Sequence, residues 1–166
     1  SSLSGYELYV SDGTTAGTTL VSDISPGVLS GSPAWITPVS TTKAILAATD
    51  ASAAGAGREV FETDFTAAGT KAVKDIHTGT GTASSSVNYM TSLGAKTLVY
   101  AANNGVAGNE VWKTDASGTS LLKDINPGAG NSHPAYFVSF WNGTKMITVF
   151  RAYTTTSGYE LWGTDG

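Results

Sequence analysis

Acidic side chains recur along this chain at a fixed interval, and they are the first candidates for chemistry. The recurring glutamates are Glu7, Glu59, Glu110 and Glu160, and the aspartates five residues after each are Asp12, Asp64, Asp115 and Asp165. Repeated carboxylates could surround a calcium ion, because Ca²⁺ takes several oxygen ligands. A pair of them at a defined separation could also hydrolyse a glycosidic bond.

A structural role for these carboxylates is the preferred interpretation. An aspartate at a strand end accepts backbone N–H bonds and fixes a turn. The glutamates could bind backbone N–H groups in the same way, or pair with the recurring lysines Lys43, Lys96 and Lys145. The chain has no Asp-x-Asp-x-Asp run, so no metal site is predicted and calcium is kept only as the alternative.

Catalysis is not expected from these residues. A group present in every repeat is a poor match to an active site, which is usually unique. The sequence has no cysteine and no Gly-x-Ser-x-Gly nucleophile motif. Its two histidines, His77 and His133, occupy different repeat positions. We therefore predict no enzymatic activity and no cofactor.

Aromatic residues form two groups. One repeated strand position carries Tyr9, Phe61, Trp112 and Trp162. One residue per repeat at a fixed register is what a repeated core needs, so we predict that this group packs between repeats. A second group lies near turns and strand ends and comprises Trp35, Tyr136, Trp141, Tyr6 and Tyr159. Aromatic rings next to Asn, Asp and Thr suit sugar binding, and packing at the rim of the fold is the alternative.

Short strands must position these residues. Each repeat reads as four strand-like blocks separated by Gly, Asn, Asp and Pro, and no segment shows apolar residues at helical spacing. We predict an all-β single repeat domain over residues 1–166. Its units are 6–57, 58–108, 109–158 and the partial unit 159–166.

A repeat of about 50 residues with four strands has the size of a propeller blade. The chain is therefore expected to form a β-propeller-like array of about three four-stranded blades plus one redundant strand. Three blades cannot close a ring, which needs about four. The array is expected to be part of a larger propeller or to be closed by oligomerisation, for example as two copies with six blades.

The composition excludes several classes of function. Only 13% of residues are charged and the formal net charge is −4. Lys and Arg do not cluster, so binding to nucleic-acid phosphates is not expected. No apolar run approaches the roughly 20 residues needed to span a bilayer, so membrane insertion is not expected either.

The repeated motif resembles a known family. Glu160-Leu161-Trp162-Gly163-Thr164-Asp165-Gly166, together with Asp12-Gly13-Thr14 and the later Asp-Ile and Pro-Gly pairs, is similar to the ELWxxDGT-repeat proteins, a family of bacterial extracellular repeats. The strand pattern is also similar to kelch blades. These resemblances imply a propeller and an extracellular or cell-surface location.

A non-enzymatic binding module is the function that we expect. The first hypothesis is a carbohydrate-binding or adhesive propeller with glycans or a surface polysaccharide as partners, where several weak sites act together. The alternative is a purely structural repeat or a protein-interaction platform within a large secreted or surface protein. In both cases the chain is expected to be a homo-oligomer or a fragment of a longer repeat array.

Overall fold

The fold is all-β, as predicted. The computed structural model describes residues 5–52, 57–78, 83–94 and 96–166. Within these ranges the chain forms thirteen β-strands in antiparallel sheets of two to four strands, without a helix. No described segment is thus a helix long and apolar enough to cross a membrane.

The chain divides into two compact units, Ser1–Ser84 and Ser85–Gly166. In the first unit, a two-stranded sheet contains β1 (Leu8–Val10) and β2 (Thr19–Ser22). A four-stranded sheet follows, whose strands pair in chain order. They are β3 (Ala34–Ser40), β4 (Lys43–Asp50), β5 (Gly57–Thr63) and β6 (Lys71–Lys74).

The second unit also contains two antiparallel sheets. Its four-stranded sheet contains β7 (Asn88–Gly94), β8 (Thr97–Asn103), β9 (Asn109–Asp115) and β10 (Gly118–Lys123). Its three-stranded sheet contains β11 (Ala135–Trp141), β12 (Met146–Thr154) and β13 (Gly158–Thr164).

The sheets do not begin where the sequence repeats begin. The glutamate-bearing strand opens each sequence repeat, but it is the third strand of a four-stranded sheet. The thirteen strands group as two, four, four and three. Connection length explains the grouping. Only residues 41–42 separate β3 from β4, which makes a hairpin, whereas residues 23–33 carry the chain from β2 to the next sheet.

The second strand of each four-stranded sheet forms the centre of the core. Along β4, residues 44–48 are all buried, and along β8 the same holds for residues 98–102. A strand that is apolar on both faces is stable only when both faces are covered. In the first unit, the side chains that cover it include Leu8, Val21 and Phe61. In the second unit, Val111 and Ile125 pack against Phe150 and Ala152 of β12.

Candidate functional site

Three of the four repeated glutamates are buried and accept hydrogen bonds from backbone amides, namely Glu7, Glu59 and Glu110. Glu110 is fully buried in β9, and its Oε2 accepts a 2.8 Å hydrogen bond from the Ile125 amide. The amide and the hydroxyl of Ser132 donate to the same carboxylate at 2.8 and 2.6 Å. Glu7 accepts from the amides of Ile24 and Gly31 at 2.8 and 2.6 Å. Each carboxylate thus ties its strand to the end of the next strand and to the loop that leaves the sheet.

Burial has an electrostatic consequence for Glu110. Removal from water disfavours the charged carboxylate and raises the pKa of Glu110, although the hydrogen bonds from Ser132 and Ile125 act in the opposite direction. A protonated Glu110 also fits the site, because its hydroxyl hydrogen can point to Ser132 Oγ, whose own hydrogen can turn to the Asn109 carbonyl 3.2 Å away.

The repeated aspartates fix exposed turns. Asp12 Oδ1 accepts hydrogen bonds from the Thr14 amide and hydroxyl at 2.9 and 2.8 Å, and the Gly17 amide donates to the Thr14 hydroxyl at 2.9 Å. Asp64 makes the same contacts with Thr66 at 3.0 and 2.6 Å. In both cases the threonine hydroxyl is the main reason that the pKa of the aspartate is lowered.

Of the other repeated acids, two pair with lysines and one is exposed to solvent. Asp115 lies 3.0 Å from the Lys113 ammonium, and Asp165 pairs with Lys145. These lysines hold the pKa of each aspartate below its ordinary value. Glu160 is exposed. Within the described ranges, no three acidic or histidine side chains converge as a metal ion would require.

The first aromatic group differs from one repeat to the next. Phe61 and Trp112 are 5% exposed and belong to the core, whereas Tyr9 is 53% exposed. Trp162 is half-buried against the cluster around Phe150.

A different aromatic position carries an unusual backbone. Trp35, Tyr89 and Tyr136 have φ angles of 55°, 58° and 59°, in the left-handed region that bulky residues rarely enter. Each lies at a β-bulge near the start of the first strand of its sheet, where the pairing register shifts. A left-handed non-glycine residue costs roughly 1–2 kcal/mol, and such strain clusters at functional sites.

The preceding loop holds this backbone in place. The residue three positions before each aromatic is also left-handed, namely Ser32, Ser86 and His133. The residue before that one anchors the loop through its carbonyl. Tyr153 N donates to Ser132 O at 2.7 Å, and Asn103 N donates to Ser85 O at 2.8 Å. Bulges of this kind redirect a side chain, and here all three aromatic side chains remain exposed.

One of these aromatic residues, Tyr89, lines a cavity in the second unit. We call it the tyrosine cavity. It has a volume of about 520 Å³, and its wall includes Tyr89, Tyr159 and Arg151. The rings of Tyr89 and Tyr136 are 6.2 Å apart and tilted by 47°. The Arg151 guanidinium lies 4.9 Å from the Tyr136 ring centre and 4.4 Å from that of Tyr159. The tyrosines and the arginine therefore form a continuous surface.

Three asparagines add polar groups to the same wall. Asn88 donates from Nδ2 to Ser86 O at 2.7 Å, and Asn103 accepts at Oδ1 from the Gly105 amide at 2.7 Å. Asn109 lies opposite Asn103 in the β8–β9 pairing. In the described part of the chain, Asn88 Oδ1, Asn103 Nδ2 and the side-chain amide of Asn109 have no hydrogen-bond partner. The cavity thus offers both donors and acceptors to a ligand.

The structure separates the other predicted binding residues from this cavity. Trp141 is 62% exposed and is the last residue of β11, whose second residue is Tyr136. It lines a different cavity, together with Lys113 and Lys145. In the first unit, Tyr6 is 81% exposed and lines a cavity of about 460 Å³. Trp35 is 41% exposed.

Sequence reasoning missed Tyr89 and Arg151. The loop before Tyr89 is longer than in the other repeats, which hid the alignment. Counting back from the next strand would have revealed it, since Trp35 precedes Ala47 by the same twelve residues that separate Tyr89 from Ala101. Arg151 is the one charged residue of β12, at the strand position that alanine occupies in β4 and β8.

Comparison of the chain with protein-family models, with curated proteins and with solved structures finds no match.

Proposed function

We propose that this protein is a non-enzymatic carbohydrate-binding module of an extracellular or cell-surface protein. The observation that carries the proposal is the tyrosine cavity, in which the Tyr89 and Tyr159 rings and the side chains of three asparagines line one wall. Sugars present apolar C–H faces to aromatic rings and hydroxyl groups that both donate and accept hydrogen bonds. The strained backbone at Tyr89, a residue of the cavity wall, supports a binding role, because such strain clusters at functional sites.

A propeller is the architecture that we propose for the module. Each four-stranded sheet is antiparallel with its strands in chain order, as in a propeller blade. We further propose that the ring closes through a second copy of the chain or through further blades of a longer chain. Light scattering on the isolated chain measures this, and closure by two copies requires a mass of twice 17.0 kDa. A folded 17.0 kDa monomer with protected amides in all three repeats would exclude the propeller.

Interaction with another protein is the second candidate. Val138 and Phe140 on β11 are 57% and 43% exposed, and Leu161 on β13 is 77% exposed. Exposed apolar side chains of this size can mark a protein-binding surface. This candidate predicts binding that depends on Leu161 and that is unaffected by added sugars.

Glycan-array screening followed by calorimetry tests the carbohydrate proposal. Tyr136→Ala should weaken binding to any glycan that the protein captures, because it removes the ring that packs against Tyr89 and Arg151 of the cavity wall. Trp141→Ala is the matched control, since it removes an exposed aromatic side chain from the far end of the same strand. Equal affinity losses in both variants, or no glycan captured at all, would contradict the proposal. Recovery of the bound glycan unchanged checks that the module has no enzymatic activity.

A further inference from the structure

Arg151 distinguishes the tyrosine cavity from an ordinary sugar-binding surface. The equivalent residues of β4 and β8 are Ala47 and Ala101, which are 0% and 2% exposed. An arginine at a position otherwise filled by a buried alanine must place a cation where the fold does not need one. Arg151 is half-buried, and it lines the cavity.

The Arg151 guanidinium has no anionic partner among the residues that the structure describes. Its Nε is buried without a hydrogen bond to any described residue, and no described residue accepts from its terminal nitrogens. None of the described residues lining the cavity is Asp or Glu. By contrast, Lys43, Lys113 and Lys145 each pair with a carboxylate. Partial removal of a cation from water without a partner is unfavourable, so a bound anion would recover interaction energy at this site.

Two tyrosine rings fix the position of the cation. The guanidinium lies within 5 Å of both the Tyr136 and Tyr159 ring centres, a distance at which cations are attracted to aromatic rings. The rings restrict the motion of the side chain, and the terminal Nη nitrogens stay available to a ligand in the cavity. A guanidinium edge binds a carboxylate through two parallel hydrogen bonds.

We infer that the ligand of the tyrosine cavity is an acidic sugar, a hexuronate or another carboxylated sugar, whose carboxylate binds Arg151. This inference rests on the proposed carbohydrate-binding function. The sugar ring packs on Tyr89, and its hydroxyl groups bind the side-chain amides of Asn103 and Asn109. Since the chain carries a net charge of −4, long-range attraction does not favour anions, and selectivity must come from this local contact.

The test compares sugars that differ only in charge. Glucuronate, galacturonate, mannuronate and N-acetylneuraminate are each measured against their own methyl esters by ligand-observed NMR and calorimetry. We expect at least one acid to bind about tenfold more tightly than its ester, since a hydrogen bond to an ionised carboxylate is stronger than one to a neutral ester. Acetate reports binding of a carboxylate without a sugar, and it should bind far more weakly than the preferred acid.

Two variants assign the charge recognition to Arg151. Arg151→Gln should remove the preference for the acid, so that the acid and its ester bind with similar affinity. Arg151→Lys should keep part of the preference, because the ammonium retains the charge but lacks the guanidinium fork. Thermal melting confirms that both variants fold.

The outcomes separate the two proposals. An ester that binds as tightly as its acid overturns the acidic-ligand inference and leaves the carbohydrate proposal standing. If acetate binds as tightly as the sugar acids, the cavity is a general anion site and the inference is overturned. If both Arg151 variants keep the preference for the acid over its ester, another residue binds the carboxylate, and the inference is overturned as well. If no acid and no ester binds and the glycan array is also blank, the carbohydrate proposal itself fails.

Discussion

At the residue scale, Glu110 holds three segments together through two oxygen atoms that accept hydrogen bonds. Oε1 accepts from the Ser132 amide, and Oε2 accepts from the Ile125 amide and the Ser132 hydroxyl. A neutral amide cannot replace this carboxylate, because either orientation of a glutamine side chain would place its NH₂ group against a backbone N–H donor.

We therefore expect Glu110→Gln to lower the free energy of unfolding by about 1–3 kcal/mol, the cost of leaving buried polar groups unsatisfied. Urea denaturation followed by tryptophan fluorescence measures it. Glu160→Gln is the control, since Glu160 occupies the same repeat position but is exposed, and its effect should stay within about 0.5 kcal/mol. Similar losses of unfolding free energy in both variants would contradict the role of Glu110 in holding the three segments together.

The two aromatic positions should also differ in stability. Trp112 is 5% exposed and Trp35 is 41% exposed. Trp112→Ala should cost roughly 3–5 kcal/mol, as other truncations of large buried aromatic residues do. Trp35→Ala should cost far less, because it removes an exposed ring. Equal losses in thermal or chemical unfolding would show that the distinction between core and surface is wrong.

At the element scale, the aspartate turns depend on glycines that leave no room for a side chain. A Cβ at Gly17 would lie 2.0 Å from Asp12 Oδ1, and one at Gly69 would lie 1.9 Å from Asp64 Oδ1. In both turns the backbone at the glycine therefore passes directly over the carboxylate, where a side chain would displace it. Asp, Thr and Gly thus act together in these two turns.

Gly17→Ala should displace the Asp12 carboxylate from Thr14 and lower the melting temperature by about 2–4 °C. Gly163→Ala provides the control. Its Cβ would be 3.8 Å from the nearest atom outside its own neighbours, so ordinary contact is kept and the melting temperature should hardly change. If the two alanine variants have the same melting temperature, the close approach at Gly17 does not matter for stability.

The sequence predicted the strands and turns but not how the strands group into sheets, and the difference has a physical reason. The strands and aspartate turns follow from local patterns that return in each repeat. The grouping of strands does not, since it depends on which connections are short enough to form hairpins. The sequence did not predict Arg151 and Tyr89 as cavity residues, because the cavity arises from contacts between residues far apart in the chain. Arg151 breaks the repeat pattern, and Tyr89 keeps only the backbone conformation of Trp35 and Tyr136.

At the scale of the whole molecule, opposing pKa shifts set the pH dependence of stability. The pKa of Glu110 is raised in the folded state, so its contribution is fully present below the ordinary Glu value of about 4.3 and is lost as pH rises through the folded pKa. The pKa values of Asp12, Asp64, Asp115 and Asp165 are lowered. Their contribution is present above the ordinary Asp value of about 3.9 and is lost as pH falls through the folded pKa values.

We therefore expect a stability maximum at mildly acidic pH, near the ordinary carboxylate pKa values of about 4. Urea unfolding at closely spaced pH values should show stability falling both toward neutral pH and toward strong acid. Stability that rises steadily from pH 5 to pH 7 would be inconsistent with a raised pKa at Glu110.

The offset between sequence repeats and sheets has a consequence for how such genes change. Duplication or deletion of one 51-residue period, the distance from Glu59 to Glu110, joins the second strand of one sheet to the third strand of another. The product still consists of complete sheets, so the array can change length without leaving half a sheet behind. Recombination also shuffles ligand contacts, because Tyr89, Arg151 and Tyr159 come from three successive repeats. Each crossover between divergent copies would therefore assemble a hybrid cavity on an intact scaffold.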